Sequence, residues 1–305
     1  MSQRRSIRGR DHRVGRDLFG RTVDPAGSVG DFLDGLGDLL AVRQLRGLAK
    51  AIVQARANDA PVLWALGGHV IKVGLAPILG QLIHSGHVQG LALNGAAAIH
   101  DWEIAAIGQT SENVQDGLGD GSFGRVEETG AAFAAACADA HASGRGLGEV
   151  LGSQMIDGQL PHLKDSVLGM AAEAGVPVTI HVAIGCDTIH MHPAVDGAAL
   201  GAATFNDFRR LATTLEGMSG GVWLNCGSAV QLPEVFLKAL AEARARGGAR
   251  PPISTANLDM QRQYRTEQNV LRRPTAAGGD GYQLIGHHEL NIPLLAAAIE
   301  HTAGS

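Results

Sequence analysis

Short, continuously apolar runs that end in glycine alternate along this chain with longer stretches whose apolar residues return every three or four positions. VLWAL at 62–66 ends in Gly67-Gly68 and leads into VIKVGLAPILGQLI, a helical pattern. VQGLAL at 88–93 ends in Asn94-Gly95 and leads into AAAIHDWEIAAI. VPVTIHVAI at 176–184 ends in Gly185 and a polar, histidine-rich connection. GGVWLN at 220–225 ends in Cys226-Gly227-Ser228 before a helix reaching Arg246, and PPISTANLD begins near 251.

An uninterrupted apolar, β-branched run reads as a strand buried on both faces, and the helix after it returns the chain to start a parallel neighbour. Repetition of this unit predicts an α/β fold with a doubly wound, Rossmann-like parallel sheet. Such sheets bind ligands outside the carboxyl ends of their strands. There the pattern places Gly67-Gly68, Asn94-Gly95, Cys226-Gly227-Ser228 and Asn257–Asp259. Residues 109–175 show no strand: QTSENVQDGLGDGSFGR is polar, and Ala-rich helical patterns follow at 126–142 and 162–174. This segment is expected to form a helical insertion or cap over the crevice, within one domain spanning 1–305 that begins with an arm at 1–30.

Composition narrows the function. Of 305 residues, 45% are hydrophobic and 18% charged, enough for a large core. The 25 Lys+Arg against 30 Asp+Glu give a formal charge of −5, which argues against a protein that binds nucleic acid through a basic field. Cys137, Cys186 and Cys226 stand isolated, so neither a disulfide framework nor a thiolate zinc site is indicated, and a reducing cytoplasm fits. No stretch reaches the roughly 18 apolar residues of a membrane span, and MSQRRSIRGRDHRVGRD has no apolar signal region. Asp11 and Asp17 interrupt that arginine-rich start, which reads either as a transit-type segment or as an arm packing on a neighbouring subunit. The expected partner is a small-molecule substrate, with no nucleic acid and no membrane.

Several residue groups can carry chemistry. Two glycines at a strand-to-helix turn let backbone N–H groups approach an anion, so Gly67, Gly68 and His69 form a phosphate candidate, with Lys72 one turn along. Gly119, Gly121 and Gly124 match GxGxxG, but the dinucleotide fingerprint needs a preceding strand and TSENVQD stands there instead. Asp101 and Glu103 follow Asn94-Gly95 closely; either can face the crevice and hold a hydroxyl or ammonium group, and either can cap a helix. Asp196-Gly197 and Asp259 are placed similarly. His190 and His192 would share a side in extended chain, as two metal ligands must, although the same imidazoles can bond to backbone or substrate. His287-His288-Glu289 opens the last helical pattern, where a general base or a simple helix cap is expected. Trp64, Trp102 and Trp223 read as core residues.

Taken in order, these segments resemble the deoxyhypusine synthase family over roughly residues 60–300. GGHVIKVGL at 67–75, LNGAAAIHDWE at 93–103, HPAVDGAALG at 192–201, LNCGSAV at 224–230, STANLDM at 254–260 and IPLLAAAI at 292–299 each parallel a family segment. The resemblance implies an NAD-binding fold and hydride removal from an amine. It further implies cofactor contacts from Asp196, Gly197, Gly227, Ser228, Asn257 and Asp259, with Asn94 and Gly95 nearby, and a homo-oligomer, dimer or tetramer. One departure is decisive for the reaction. The family's SWGK lysine forms an imine with the transferred aminobutyl unit, yet residues 261–289 contain no lysine; the chain has only Lys50, Lys72, Lys164 and Lys238. A guanidinium cannot replace a free amine.

Hydride abstraction survives that loss, because it needs NAD, a positioned substrate carbon and a base. The bases expected are His288 or His287, then His190 or His192, with Asp101 and Asp196 orienting, and Lys72, Asp101, Glu103 and Glu289 meeting the substrate. That substrate is a small amine or a polyol such as a nucleoside. Returned hydride would make the enzyme a net transferase, lyase or isomerase. Two other readings stay open: a metal-dependent hydrolase built on His181, His190 and His192, and a noncatalytic NAD-binding protein.

Overall fold

The computed structural model describes residues 4–304. Six strands form one sheet: Val62–Leu66 (β1), Gly90–Asn94 (β2), Val178–His181 (β3), Val222–Cys226 (β4), Ser254–Asp259 (β5) and Gly281–Ile285 (β6). Every neighbouring pair is parallel, and the spatial order is β3-β2-β1-β4-β5-β6. The architecture is the α/β doubly wound sheet that the pattern predicts.

The helices are Val29–Gly35 (α1), Leu40–Ala57 (α2), Gly68–Lys72 (α3), Ala76–His84 (α4), Gly95–Ile107 (α5), Val114–Asp120 (α6), Glu127–Ser143 (α7), Leu147–Asp157 (α8) and Val167–Glu173 (α9). They continue with Gly197–Glu216 (α10), Gln231–Ala245 (α11), Tyr264–Thr266 (α12), which runs into a π-helix at Glu267–Arg272, and His288–Ala303 (α13). Alternation along β1 divides the core in two. Val62, Trp64 and Leu66 face a cluster built with α2, α4 and α13; Leu63 and Ala65 face another, with Leu215 of α10 and Phe236 of α11. All five residues of β1 are buried, as expected of a strand covered on both faces.

Three local features differ from the sequence pattern. The helix expected after β1 is two helices, because Gly74 turns the chain at φ 75° after only five residues of α3. The polar stretch at 109–125 contains the short helix α6. Strand β6 carries no apolar run, since it is an edge strand whose residues are mostly accessible. Its Gln283 N–H donates at 3.1 Å to the Gln44 side chain of α2 instead of to another strand.

Between β2 and β3 lie α5 to α9. Of the segment 109–175, residues 111–130 line a cavity against α5, while α7 and α8 pack beside α10 and β3. In the arm, the Arg21 N–H donates to the Gly35 carbonyl at 2.8 Å, which ties it to α1. No helix among the described residues is long and apolar enough to cross a membrane.

Candidate active site at the strand ends

Strand order fixes where a crevice opens. From β1 the chain winds outward to β2 and β3, then returns to β4 beside β1 and winds the other way, so the connections after β1 and β4 diverge. Gly67 and Gly227 meet there. The Gly67 N–H donates to Cys226 O at 2.9 Å, and a β-carbon on Gly67 would collide with the Gly227 carbonyl. Gly227 adopts φ +71°, a conformation that side chains resist.

His288, the first residue of α13, closes the other side. It is 2% exposed, and its ring lies 6.1 Å from that of His69, centroid to centroid. Its Nδ1 is buried with no hydrogen-bond partner. Burial lowers its pKa, against an opposing pull from Asp259, so the imidazole is neutral near pH 7 and can accept a proton. His287 is exposed, with Nδ1 3.8 Å from the Glu289 carboxylate. Ser228 is spent on α11, accepting the Leu232 N–H through its hydroxyl at 3.1 Å.

Several other candidate residues are engaged in structural hydrogen bonds. Asp101 is not in the crevice: it is fully buried and accepts hydrogen bonds from the Ser166 hydroxyl and the Val167 and Leu168 N–H groups, fastening the start of α9 to α5. Burial pushes its pKa up to about 6 despite those bonds. Asn257 is likewise enclosed, in a row of amides across three strands: Asn225 Nδ2 donates to its Oδ1 at 2.8 Å, and Gln283 Nε2 donates to its carbonyl at 2.9 Å. Asp259, at the end of β5, accepts from the Gln261 N–H at 3.2 Å. Asp196 caps α10 through the Ala199 N–H at 2.8 Å, with Gly197 following it. Asn94 caps α5 through Ala97 N–H at 2.9 Å, and the carboxylate of Asp187 lies against Gly95.

The histidine connection is a 3-10 turn, not extended chain, so His190 and His192 do not alternate as expected. Nδ1 of His190 accepts from Gly185 N–H at 3.3 Å, and Nδ1 of His192 from Ala194 N–H at 3.2 Å. His181 is buried, which drives its pKa down to about 3. Among the described residues no three His, Cys, Asp or Glu side chains gather as metal ligands.

A cavity of about 170 Å³ opens beside the crevice, bounded by α5, the α6 segment, the start of α7 and the turn at 188–192. Lys72 and Glu103 both line it, together with His192. Sequence reasoning missed His100, which also lines it; its signal was the i, i+3 spacing from Glu103 on one helical face. His100 Nδ1 lies 2.7 Å from Thr110 Oγ1, and that hydroxyl donates to Glu103. Because Thr110 has given its only proton to the carboxylate, Nδ1 of His100 is the donor in that contact, and in the neutral ring Nε2 is then the acceptor. Burial favours the neutral form of Glu103, but the contacts with His100, Thr110 and Thr129 outweigh it and hold the carboxyl below its usual range.

For a dinucleotide the fit is specific in part. The glycine pair at the divergence of β1 and β4 and the unpartnered His288 nitrogen suit a cofactor lying across the crevice. Two features are weaker than the fingerprint: α3 has a single turn to direct its dipole, and β2 ends in an amide already spent as a cap.

No protein-family profile matches the sequence, and no curated protein matches it. Solved structures share the fold. A LOR/SDH protein from Methanococcus maripaludis superposes with a TM-score of 0.56 at 15% identity, over 96% of this chain and 75% of that one. AgrE, solved in a ternary complex with ornithine and NAD+, gives 0.55 at 14% identity over 88% of this chain. This chain covers only 35% of AgrE and 31% of ArgZ, a cyanobacterial arginine dihydrolase. A deoxyhypusine synthase from Entamoeba histolytica gives 0.50 at 12% identity, over 92% of this chain and 95% of that one. These likenesses establish a Rossmann-like α/β fold shared with enzymes, one of them solved with NAD+ bound.

Proposed function

We propose that this chain is an NAD-dependent enzyme, a divergent relative of deoxyhypusine synthase, that removes hydride from a small amine or polyol. The observation that carries the reading is His288: a neutral, buried imidazole with an unpartnered nitrogen, set against Gly227 where the strand order diverges. The AgrE complex with ornithine and NAD+ supports it from a shared fold.

Bound NAD supplies a hydride acceptor at the nicotinamide ring. Gly68 and His69, at the start of α3, would hold the cofactor's phosphates through backbone N–H groups, with Gly67 and Gly227 leaving room for close approach. His288 takes the proton from the substrate nitrogen or oxygen as the adjacent carbon loses hydride, so an amine becomes an imine and an alcohol a carbonyl. His69 borders the same space. Asp259 stabilises the imidazolium that forms, since its charge favours protonated His288. The absence of a lysine between 261 and 289 argues against imine transfer by the deoxyhypusine synthase route, unless Lys72 takes that role. Assembly as a homo-oligomer and a cytoplasmic location belong to the same proposal.

The test is to incubate the protein with NAD and a panel of amines and polyols while following reduced-nicotinamide absorbance. Turnover that disappears in His288→Gln, with NAD affinity retained, supports the assignment. Undiminished turnover in that variant removes His288 as the base.

A further inference from the structure

The cavity beside the crevice brings cationic and donor groups together with a carboxylate. Nδ1 of His192 accepts the Ala194 N–H at 3.2 Å, so the proton of the neutral ring sits on Nε2. That Nε2 is buried and makes no hydrogen bond; Glu127 lies 3.4 Å away but out of line, and the His192 side chain is only 8% exposed. Such a buried donor costs free energy until an acceptor reaches it. Lys72, at the same cavity, has no ion-pair partner among the described residues. The opposite chemistry comes from the Glu103 carboxylate and from His100, whose Nε2 is an acceptor in the neutral ring once Nδ1 donates to Thr110. Ile99, Phe123 and Ile189 supply apolar wall between these groups.

A purely anionic ligand would meet the Glu103 and Glu112 carboxylates, and a purely cationic one would leave Lys72 and His192 unanswered. A molecule with both ends answers all four. We propose that this cavity binds a small zwitterion of the α-amino-acid type, its carboxylate on Lys72 and His192 and its ammonium on Glu103 and His100. Its role as the substrate pocket rests on the NAD-dependent reading above; binding itself does not. Gly130 sustains the arrangement, because a β-carbon there would strike the His192 ring.

The test is a thermal-shift screen of the full chain without NAD against the twenty protein amino acids and L-ornithine, then calorimetry of the best binder. The same titration is run with its amide, which lacks the carboxylate, and with its deaminated acid, which lacks the ammonium. Expected is saturable binding of the amino acid, weakened about tenfold or more in each analogue and in Lys72→Met. Lys72 is exposed, so that variant folds; His192→Phe serves as a second check. The proposal is overturned if no amino acid binds, if either analogue binds as tightly as its parent, or if Lys72→Met binds normally. NAD affinity is measured separately. Amino-acid binding without NAD binding would leave the cavity assignment standing and remove the hydride reading, and the converse result would do the reverse.

Discussion

Nε2 of His288 lies 2.8 Å from the point where a β-carbon would stand on Gly227, whose φ of +71° already disfavours any side chain. Backbone strain and collision therefore coincide at one position. Gly227→Ala is expected to lower stability by about 1–3 kcal/mol and to displace the imidazole, so NAD affinity and turnover fall together. Urea unfolding and a parallel NAD titration check it; unchanged values in both would show that the two residues do not depend on each other.

Asp101 ties α5 to the start of α9 through three donors. Removing the acceptor leaves the Val167 and Leu168 N–H groups buried and unpaired, at about 1–3 kcal/mol each. Asp101→Ala is expected to lower the melting temperature markedly. A catalytic Asp101 would instead give a stable protein that has lost only turnover, and calorimetry with activity assay separates the two outcomes.

Asp207 accepts the Gly148 and Ile180 N–H groups at 2.9 and 2.8 Å, stitching α8 to the free edge of β3. Burial raises its pKa to about 7, and that of Asp101 to about 6, from the ordinary aspartate value of 3.8. The folded state thus retains protons that the unfolded chain releases as pH rises. This contribution to stability is complete below the unfolded value and is lost as pH climbs through 6 to 7. Asp207→Asn keeps an acceptor but cannot ionise. Urea midpoints at about pH 5 and about pH 8 should differ less in this variant than in the native protein. An equal or larger difference would contradict the assignment.

Trp223 of β4 stacks on Phe236 of α11 with ring centroids 4.3 Å apart and planes 8° from parallel, and both are fully buried. Trp223→Ala is expected to cost about 3–5 kcal/mol in urea unfolding. A loss below about 1 kcal/mol would mean that this half of the core is poorly packed.

The central strands were legible because parallel strands buried on both faces are mostly apolar, as VLWAL is throughout and VWLNC is apart from Asn225. Strand β6 was not, since GYQLI at an accessible edge carries no such run. Glycines at strand ends pointed to the crevice, and His288 to its edge. The roles of Asp101 and Asn257 were hidden because their partners, Ser166 and Asn225, are 65 and 32 residues away, beyond any local pattern. His100 was missed for a related reason. Its spacing from Glu103 is local, but Thr110, which joins them, comes from a loop after α5 that helical periodicity does not describe.

Calorimetric titration of the purified chain with NAD tests the central claim most directly. Saturable binding at one site per chain, weakened about tenfold or more in Gly227→Val, is the expected result. A cooperatively folded protein with no measurable heat for NAD or NADP would contradict the account.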